Sequence, residues 1–392
     1  MTDQPFARFL CSRLVRLALP VLLLSCGGCA SDRSDERTAD RGGGIPVIYC
    51  TDLFHPHDDP DDHFDIAALY ALDELDLRAI VLDQGERQAE RPGSIPVRQL
   101  NALTGRSVPY AVGLARPLSG PADDARDRPA AWQAGLNLII DTLEEARAPV
   151  TIITVGSLRD VATAFNRRPD LFTNRVGRLM IFIGEASAPT REWNVGLDPA
   201  AFIRIMNSGL PIWWVPCFDG GNFHNRGRAS FWRAAHTDLL HDAADPVMNF
   251  FIYALIEQEA PDPIAYLAQN VDEDARRTLL GMTRNLWCTA VLNAAADRAI
   301  IEREGRWVAV PADRDIGDEH VVEAFRFSPV SLFVDDEARV RYEVSARAHE
   351  VMRFEIANPD RYAQIMTSVT AALLGELPAT YPPSLRPEGR SP

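Results

Sequence analysis

From residue 45 onward the chain alternates short apolar runs with longer stretches whose apolar positions recur at helical spacing. The runs 45–50, 77–82, 108–112, 150–155, 179–183 and 211–215 have the length and composition of buried strands. Between them, 62–75, 96–103, 132–145, 158–166 and 199–208 carry helical periodicity. In the first of these, Ile66, Leu69, Tyr70 and Leu72 are apolar and acids lead the helix, where they favour its N-terminal dipole. This rhythm predicts an α/β fold with a mainly parallel central sheet and helices on both faces. Residues 229–300 read as mostly helical. A late β-element is expected over 306–310, 329–334 and 338–344, then a final helix over 358–374.

In such sheets ligands sit beyond the carboxyl ends of the strands. Four polar clusters fall there: Asp52 with the acids after it, Gly156-Ser157, the segment from Gly184-Glu185 to Asp198, and Asp219.

The first 29 residues stand apart. Arg8, Arg13 and Arg16 precede an apolar run at 17–24, too short to span a bilayer as a mature helix, and Ser25-Cys26-Gly27-Gly28-Cys29-Ala30 follows. That order predicts a lipoprotein-type signal over 1–29, with Cys26 or Cys29 as the lipidated residue. Residues 30–44 read as a polar tether, 45–375 as one domain, and 376–392 as a proline-rich tail. The expectation is an exported protein, held at the cell envelope only by an N-terminal lipid.

Charge narrows the partners. The net charge of -15 repels phosphate backbones, which argues against nucleic acid. All 40 basic residues are arginine, so Schiff-base chemistry and a P-loop are absent. Neither a Gly-x-Ser-x-Gly elbow nor a Gly-x-Gly-x-x-Gly loop occurs. Outside the signal region Cys50, Cys217 and Cys288 show no metal-ligand spacing and read as small core residues.

The most informative stretch runs from Thr51 to Asp65, TDLFHPHDDPDDHFD, with six aspartates in fourteen residues. Such a cluster at a strand end repels itself unless solvent or a cation screens it. A hard divalent cation taking oxygen ligands fits carboxylates better than histidine or thiol ligands. The plainer alternative is a solvated acidic loop in which Asp61 or Asp62 caps the next helix.

The order of motifs along the chain resembles the inosine/uridine-preferring nucleoside hydrolases. Their signature is Asp-any-Asp-Pro-Gly-any-Asp-Asp before an apolar helix; here Asp61-Asp62 precede HFDIAALYAL. Asn101-Ala102-Leu103, Pro109–Gly113, TIITVGSLRDVA over 151–162, Glu192-Trp193-Asn194, Leu197–Ala201 and Ser208–Ile212 resemble later family segments in the same order. The resemblance implies a nucleoside hydrolase-like fold and a Ca²⁺ ion held by aspartates and a backbone carbonyl. The ion would bind ribose hydroxyls and a water that attacks the anomeric carbon. By matching positions, one of Asp61 and Asp62 would be base and the other ligand. Asp52 or Asp59 would be a further ligand, Val155 would give the carbonyl, and Glu192 and Asn194 would hold the ribose.

The chain departs from the family pattern in places. The signature glycine is missing and residues are inserted between Asp52 and Asp61, among them His55 and His57. Gly85-Glu86 replaces the usual Gly-Asn. Where the family carries His-Asp near its C-terminus, this chain reads Leu286-Trp287-Cys288-Thr289. Asp58, Asp59 or Asp219 would have to replace the lost ligand, and His55, His57, His63 or His224 the lost leaving-group acid, His224 being the foremost candidate. His236, His241, His320 and His349 read as surface or core residues, and Trp213-Trp214 as buried strand.

Three functions therefore compete: a Ca²⁺-dependent hydrolase of nucleosides or related ribosides, a non-catalytic sugar or nucleoside binder, and a metal hydrolase of another class. The sequence leaves a homo-oligomer open.

Overall fold

The computed structural model describes residues 43–188, 191–316, 319–345 and 351–377. The expected signal and tail therefore lie outside the described residues, except Glu376 and Leu377; of the tether only Gly43 and Gly44 are described.

Six strands form in the predicted order: β1 (Ile45–Thr51), β2 (Leu75–Leu82), β3 (Tyr110–Val112), β4 (Val150–Thr154), β5 (Val176–Phe182) and β6 (Ile212–Val215). They pair in parallel in the order β6-β5-β4-β1-β2-β3, so β1 lies inside the sheet between β4 and β2. Beyond β6 the sheet continues through Val351–Ile356, Phe325–Val334 and Val340–Val344. The first of these pairs with β6 in parallel, and the other two are antiparallel.

Alternation along each strand feeds two cores. Val47, Tyr49, Ile153, Met180 and Phe182 pack on one face, and Ile48, Cys50, Ile152, Leu179 and Ile181 on the other. Helix α1 (Asp61–Ala71) buries Phe64, Ile66, Ala67, Ala68 and Leu69 in the first core. The helix Ala134–Glu145 buries Leu136, Ile139 and Leu143 in the second. Both faces are thus covered, as a parallel sheet requires.

Two expectations need correction. Residues 229–300 carry the expected helices, His236–Leu240, Asp245–Leu255, Pro263–Tyr266 and Glu273–Leu280, but also strands that were not expected: Trp232–Ala235 pairs antiparallel with Thr283–Leu286, and Arg298–Arg303 is a strand as well. The alanines and arginines of the first pair carry weak β-propensity, and pairing across some fifty residues fixes it, whereas Arg298–Arg303 is held by its hairpin with Arg306–Pro311. The strand Val351–Ile356 had been missed altogether. Met352 and Arg353 find partners in Trp213 and Trp214, far away in sequence. Trp214 is itself fully buried and donates from Nε1 to the Ile183 carbonyl at 2.8 Å, as a buried strand residue and not a sugar platform.

Candidate active site

The carboxyl ends of β1, β4, β5 and β6 open into one cavity of about 390 Å³. Its walls include Asp52, Asp58, Asp59, Asp61, Asp62, Val155, Glu192 and Asn194. Seven of the eight predicted site side chains or carbonyls meet here. The eighth, His224, does not line the cavity: it is exposed, and its Nδ1 lies 2.9 Å from the Asn222 carbonyl oxygen.

The first strand delivers the acids. β1 ends at Thr51, whose hydroxyl donates to Asp62 Oδ1 at 2.7 Å and ties the start of α1 to the strand end. Asp52 accepts from the Gln84 amide at 3.2 Å. A Cβ on Gly156 would stand 2.9 Å from Asp52 Oδ1 and 3.0 Å from its backbone nitrogen, so glycine there lets the ends of β1 and β4 approach. Burial, then repulsion from Asp83, pushes Asp52 up to about 7. Burial also raises Asp61 and Asp62 well above the ordinary carboxylate range, helped first by Asp62 and by Asp52 respectively.

The opposite wall is built by a capped turn. Glu192 caps the short helix Trp193–Leu197: its carboxylate accepts from the backbone nitrogens of Gly184, Asn194 and Val195 at 2.9, 2.9 and 3.2 Å. Asn194 donates from Nδ2 to the Val155 carbonyl at 2.9 Å. A carbonyl has two lone pairs, so that bond leaves one free toward the cavity. Asp198 caps the following helix and accepts from Arg159 at 3.1 Å, which anchors the segment behind the site.

Not every acid is free to bind. Asp58 is paired with both Arg87 and Arg91, and Asp59 with Arg284 at 3.3 Å. Asp219 is fully buried away from the cavity, bonded to Ser187 and Arg228. His55 stacks on Tyr253, and His63 lies fully buried near Phe250. Neither lines the cavity, nor does His57. Burial lowers all three imidazoles, so they are neutral at neutral pH.

The position expected to lack an acid is occupied by Trp287 and Cys288, both on the cavity wall. Cys50, Cys217 and Cys288 are buried and unpaired, as small core residues should be. Beside Cys288 lies a carboxylate not singled out in the sequence: Asp65, fully buried, bonded through Oδ1 to Thr289, its Oδ2 without a partner. Burial pushes it up to about 7. Its signal was available, since an aspartate on the apolar face of an amphipathic helix is costly without a purpose.

Among the described residues no group of three His, Cys, Asp or Glu side chains is placed so that it could hold one metal ion. The expected convergence around one ion is therefore met only as a shared cavity. The donor chemistry still fits a hard divalent cation. Asp52, Asp61 and Asp62 line one space, Asp52 held by the Gln84 amide and Asp62 by the Thr51 hydroxyl, and burial with mutual repulsion raises all three, a strain that a cation would relieve.

Fold and cavity define an α/β protein with an oxygen-donor site at the carboxyl edge of a parallel sheet. The chain belongs to the inosine-uridine preferring nucleoside hydrolases, whose family model matches residues 52–305. Pyrimidine-specific ribonucleoside hydrolase RihA of Salmonella paratyphi B is 29% identical over 188 residues, 43% of this chain and 58% of the relative. RihA of Escherichia coli O127:H6 matches with the same identity and coverage. The chain thus aligns with a little under three fifths of these relatives. A plant nucleoside hydrolase, PpNRh1, shares the fold with a TM-score of 0.52 at 16% identity, over 86% of this chain and 99% of that one.

Proposed function

We propose that this protein hydrolyses the N-glycosidic bond of ribonucleosides or related ribosides, with calcium as its cation. The observation that carries the reading is the meeting of Asp52, Asp61, Asp62, the Val155 carbonyl and Asn194 on one cavity. Calcium bound there would supply Lewis acidity toward water and toward sugar hydroxyls. One carboxylate of the Asp61-Asp62 pair takes the proton of the attacking water. The water oxygen bonds to the anomeric carbon as the bond to the base breaks, and the base leaves with the electron pair. Asn194 orients the sugar, while Glu192 holds the turn that presents Asn194 and lends its negative field to the developing oxocarbenium charge.

Among the described residues that line the cavity there is no histidine to serve as leaving-group acid. Trp287 and Cys288 stand where one would be needed, and burial raises the Cys288 thiol well above its ordinary value, so it is a poor proton donor. A nitrophenyl riboside, whose leaving group departs without a proton, should therefore be cleaved much faster than inosine or uridine. Steady-state rates with saturating Ca²⁺ test this. Equal rates would mean a general acid exists elsewhere, and no cleavage of any of them would sink the hydrolase reading.

The same missing acid favours a second reading, a binder that retains the pocket without turnover. Binding of inosine, uridine and nitrophenyl riboside with none of them cleaved would select it.

We also propose that the protein is exported and anchored by a lipid on Cys26 or Cys29, from the arginines, apolar run and cysteines of residues 1–29. Intact-mass analysis of the native protein should give a lipid-bearing chain starting at one of these cysteines. The full precursor mass would refute it.

A further inference from the structure

We propose that two copies of this chain pair through the strand Val340–Val344, joining their sheets edge to edge in a single register about a twofold axis at Tyr342. The proposal stands apart from the riboside reading.

That strand ends the nine-stranded sheet, and among the described residues nothing pairs with its outer side. Which backbone groups point outward follows from its bonds to Phe325–Val334. The Ser345 nitrogen donates to the Pro329 carbonyl and the Asp335 nitrogen to the Arg339 carbonyl, both at 3.1 Å. Bonded and unbonded pairs alternate along an antiparallel ladder, so Arg341 and Glu343 turn their N–H and C=O groups inward, to Phe333 and Ser331. Val340, Tyr342 and Val344 turn theirs outward. Such a row of open donors and acceptors invites another strand. At the opposite edge of the sheet the strand Tyr110–Val112 is only three residues long. This one has five, none of them proline, and ends on Val344, which is 82% exposed.

The strand is also pinned in place. The Tyr342 and Trp214 rings meet edge to face with centroids 5.7 Å apart, the Arg353 guanidinium lies 4.7 Å over the Tyr342 ring, and Arg228 donates to the Tyr342 hydroxyl at 3.2 Å. An edge already ordered has little freedom left to lose on pairing.

The residue order Val340-Arg341-Tyr342-Glu343-Val344 identifies the partner. Antiparallel pairing of this strand with its own copy must match outward-facing residues with outward-facing residues. Three registers do so over three residues or more. Centred on Arg341, the pairing sets Arg341 against itself; centred on Glu343, it sets Glu343 against itself. Both juxtapose like charges. Centred on Tyr342, it sets Arg341 against Glu343 of the second copy twice over, and Val344 against Val340 of the second copy. The Arg–Glu pairs then fall at unbonded positions, where opposite Cα atoms come within about 4.5 Å and side chains are closest. The exposed Val344 gains an apolar neighbour, and Val340, Tyr342 and Val344 close the ladder. The strand is complementary to itself in charge, in apolar positions and in hydrogen bonding, in this one register.

Disulfide trapping tests the register in the full-length protein. Arg341→Cys and Glu343→Cys are made as separate variants and oxidised mildly, alone and mixed. Facing residues about 4.5 Å apart between Cα atoms lie within disulfide reach. The mixture should give far more covalent dimer than either variant alone. As much dimer from one variant alone as from the mixture, or none from the mixture, would overturn the proposal. Sedimentation of the full chain in a mild detergent measures the strength. Glu343→Arg should weaken the dimer roughly 5- to 100-fold, and adding Arg341→Glu should restore it, because exchanging the charges rebuilds both pairs. Val344→Pro should weaken it roughly 5- to 150-fold at unchanged Tm, since the N–H it removes points away from the fold. A wild-type chain that stays monomeric at every concentration, or a dimer indifferent to these variants, would overturn it as well.

Discussion

Asp62→Asn should bind calcium far more weakly than the wild type and lose riboside cleavage by about 10²–10⁴-fold, the range for removing a general base, with loss of the cation adding to it. Asp62 is buried, its Oδ1 is fixed by the Thr51 hydroxyl, and it stands at the start of α1 facing Asp52 across the cavity. Asparagine keeps the shape and can still accept from Thr51, so the fold should survive, but one formal charge leaves a site that works by charge. Asp61→Asn should lose cleavage as well. The two separate in the titration: the variant that loses its ligand loses calcium affinity, while the variant that loses its base keeps affinity and loses rate. Asp58→Asn is the control. Asp58 is already paired with Arg87 and Arg91, so its removal should leave calcium affinity within a few-fold. A calcium isotherm unchanged in both Asp61→Asn and Asp62→Asn would remove the acid pair from the cation site.

The strands that build this site were legible because each is a short apolar run between polar turns, and their carboxyl ends mark where polar residues must gather. Asp61-Asp62, Glu192 and Asn194 were legible as motifs in order. Their partners were not. That Asp58 and Asp59 are drawn to Arg87, Arg91 and Arg284 depends on where the segments carrying those arginines arrive, and no local pattern encodes that. His224 was expected over the cavity because its loop follows β6. The left-handed backbone at Gly220, Gly221 and Phe223 instead presents Phe223 and leaves the histidine outside. Val351–Ile356 went unread because its place beside β6 is set by long-range pairing.

Calcium should stabilise this protein more as pH rises, and the cation-free protein should lose stability between pH 6.5 and 8. Burial raises Asp52, Asp65 and Asp160 each to about 7, against about 3.9 in an unfolded chain. A carboxyl whose folded pKa is raised favours the folded state fully below its unfolded value, and that contribution is lost as pH climbs through the folded value. The buried histidines act at the other end. His55, His57 and His63 are lowered by burial, and His236 to about 4, so they weaken the fold increasingly as pH falls through about 6.5. Up to about pH 7.5 the unfolded imidazoles still lose protons and offset part of the carboxyl slope, to which the raised Asp61 and Asp62 also add. Asp160 lies outside the cavity, accepting from the Leu114 nitrogen at 3.0 Å, so its share persists with or without the cation. Asp52 lines the cavity, and a cation beside it returns its pKa toward the ordinary range and removes its share. In a chelator, Tm should therefore fall by several degrees from pH 6.5 to 8, at about 2–4 °C per kcal/mol or less for a domain this large. In saturating calcium the fall should be smaller, and the calcium-induced rise in Tm should grow across the same interval. A calcium effect of equal size at pH 6.5 and 8 would mean that the cation does not meet these carboxylates.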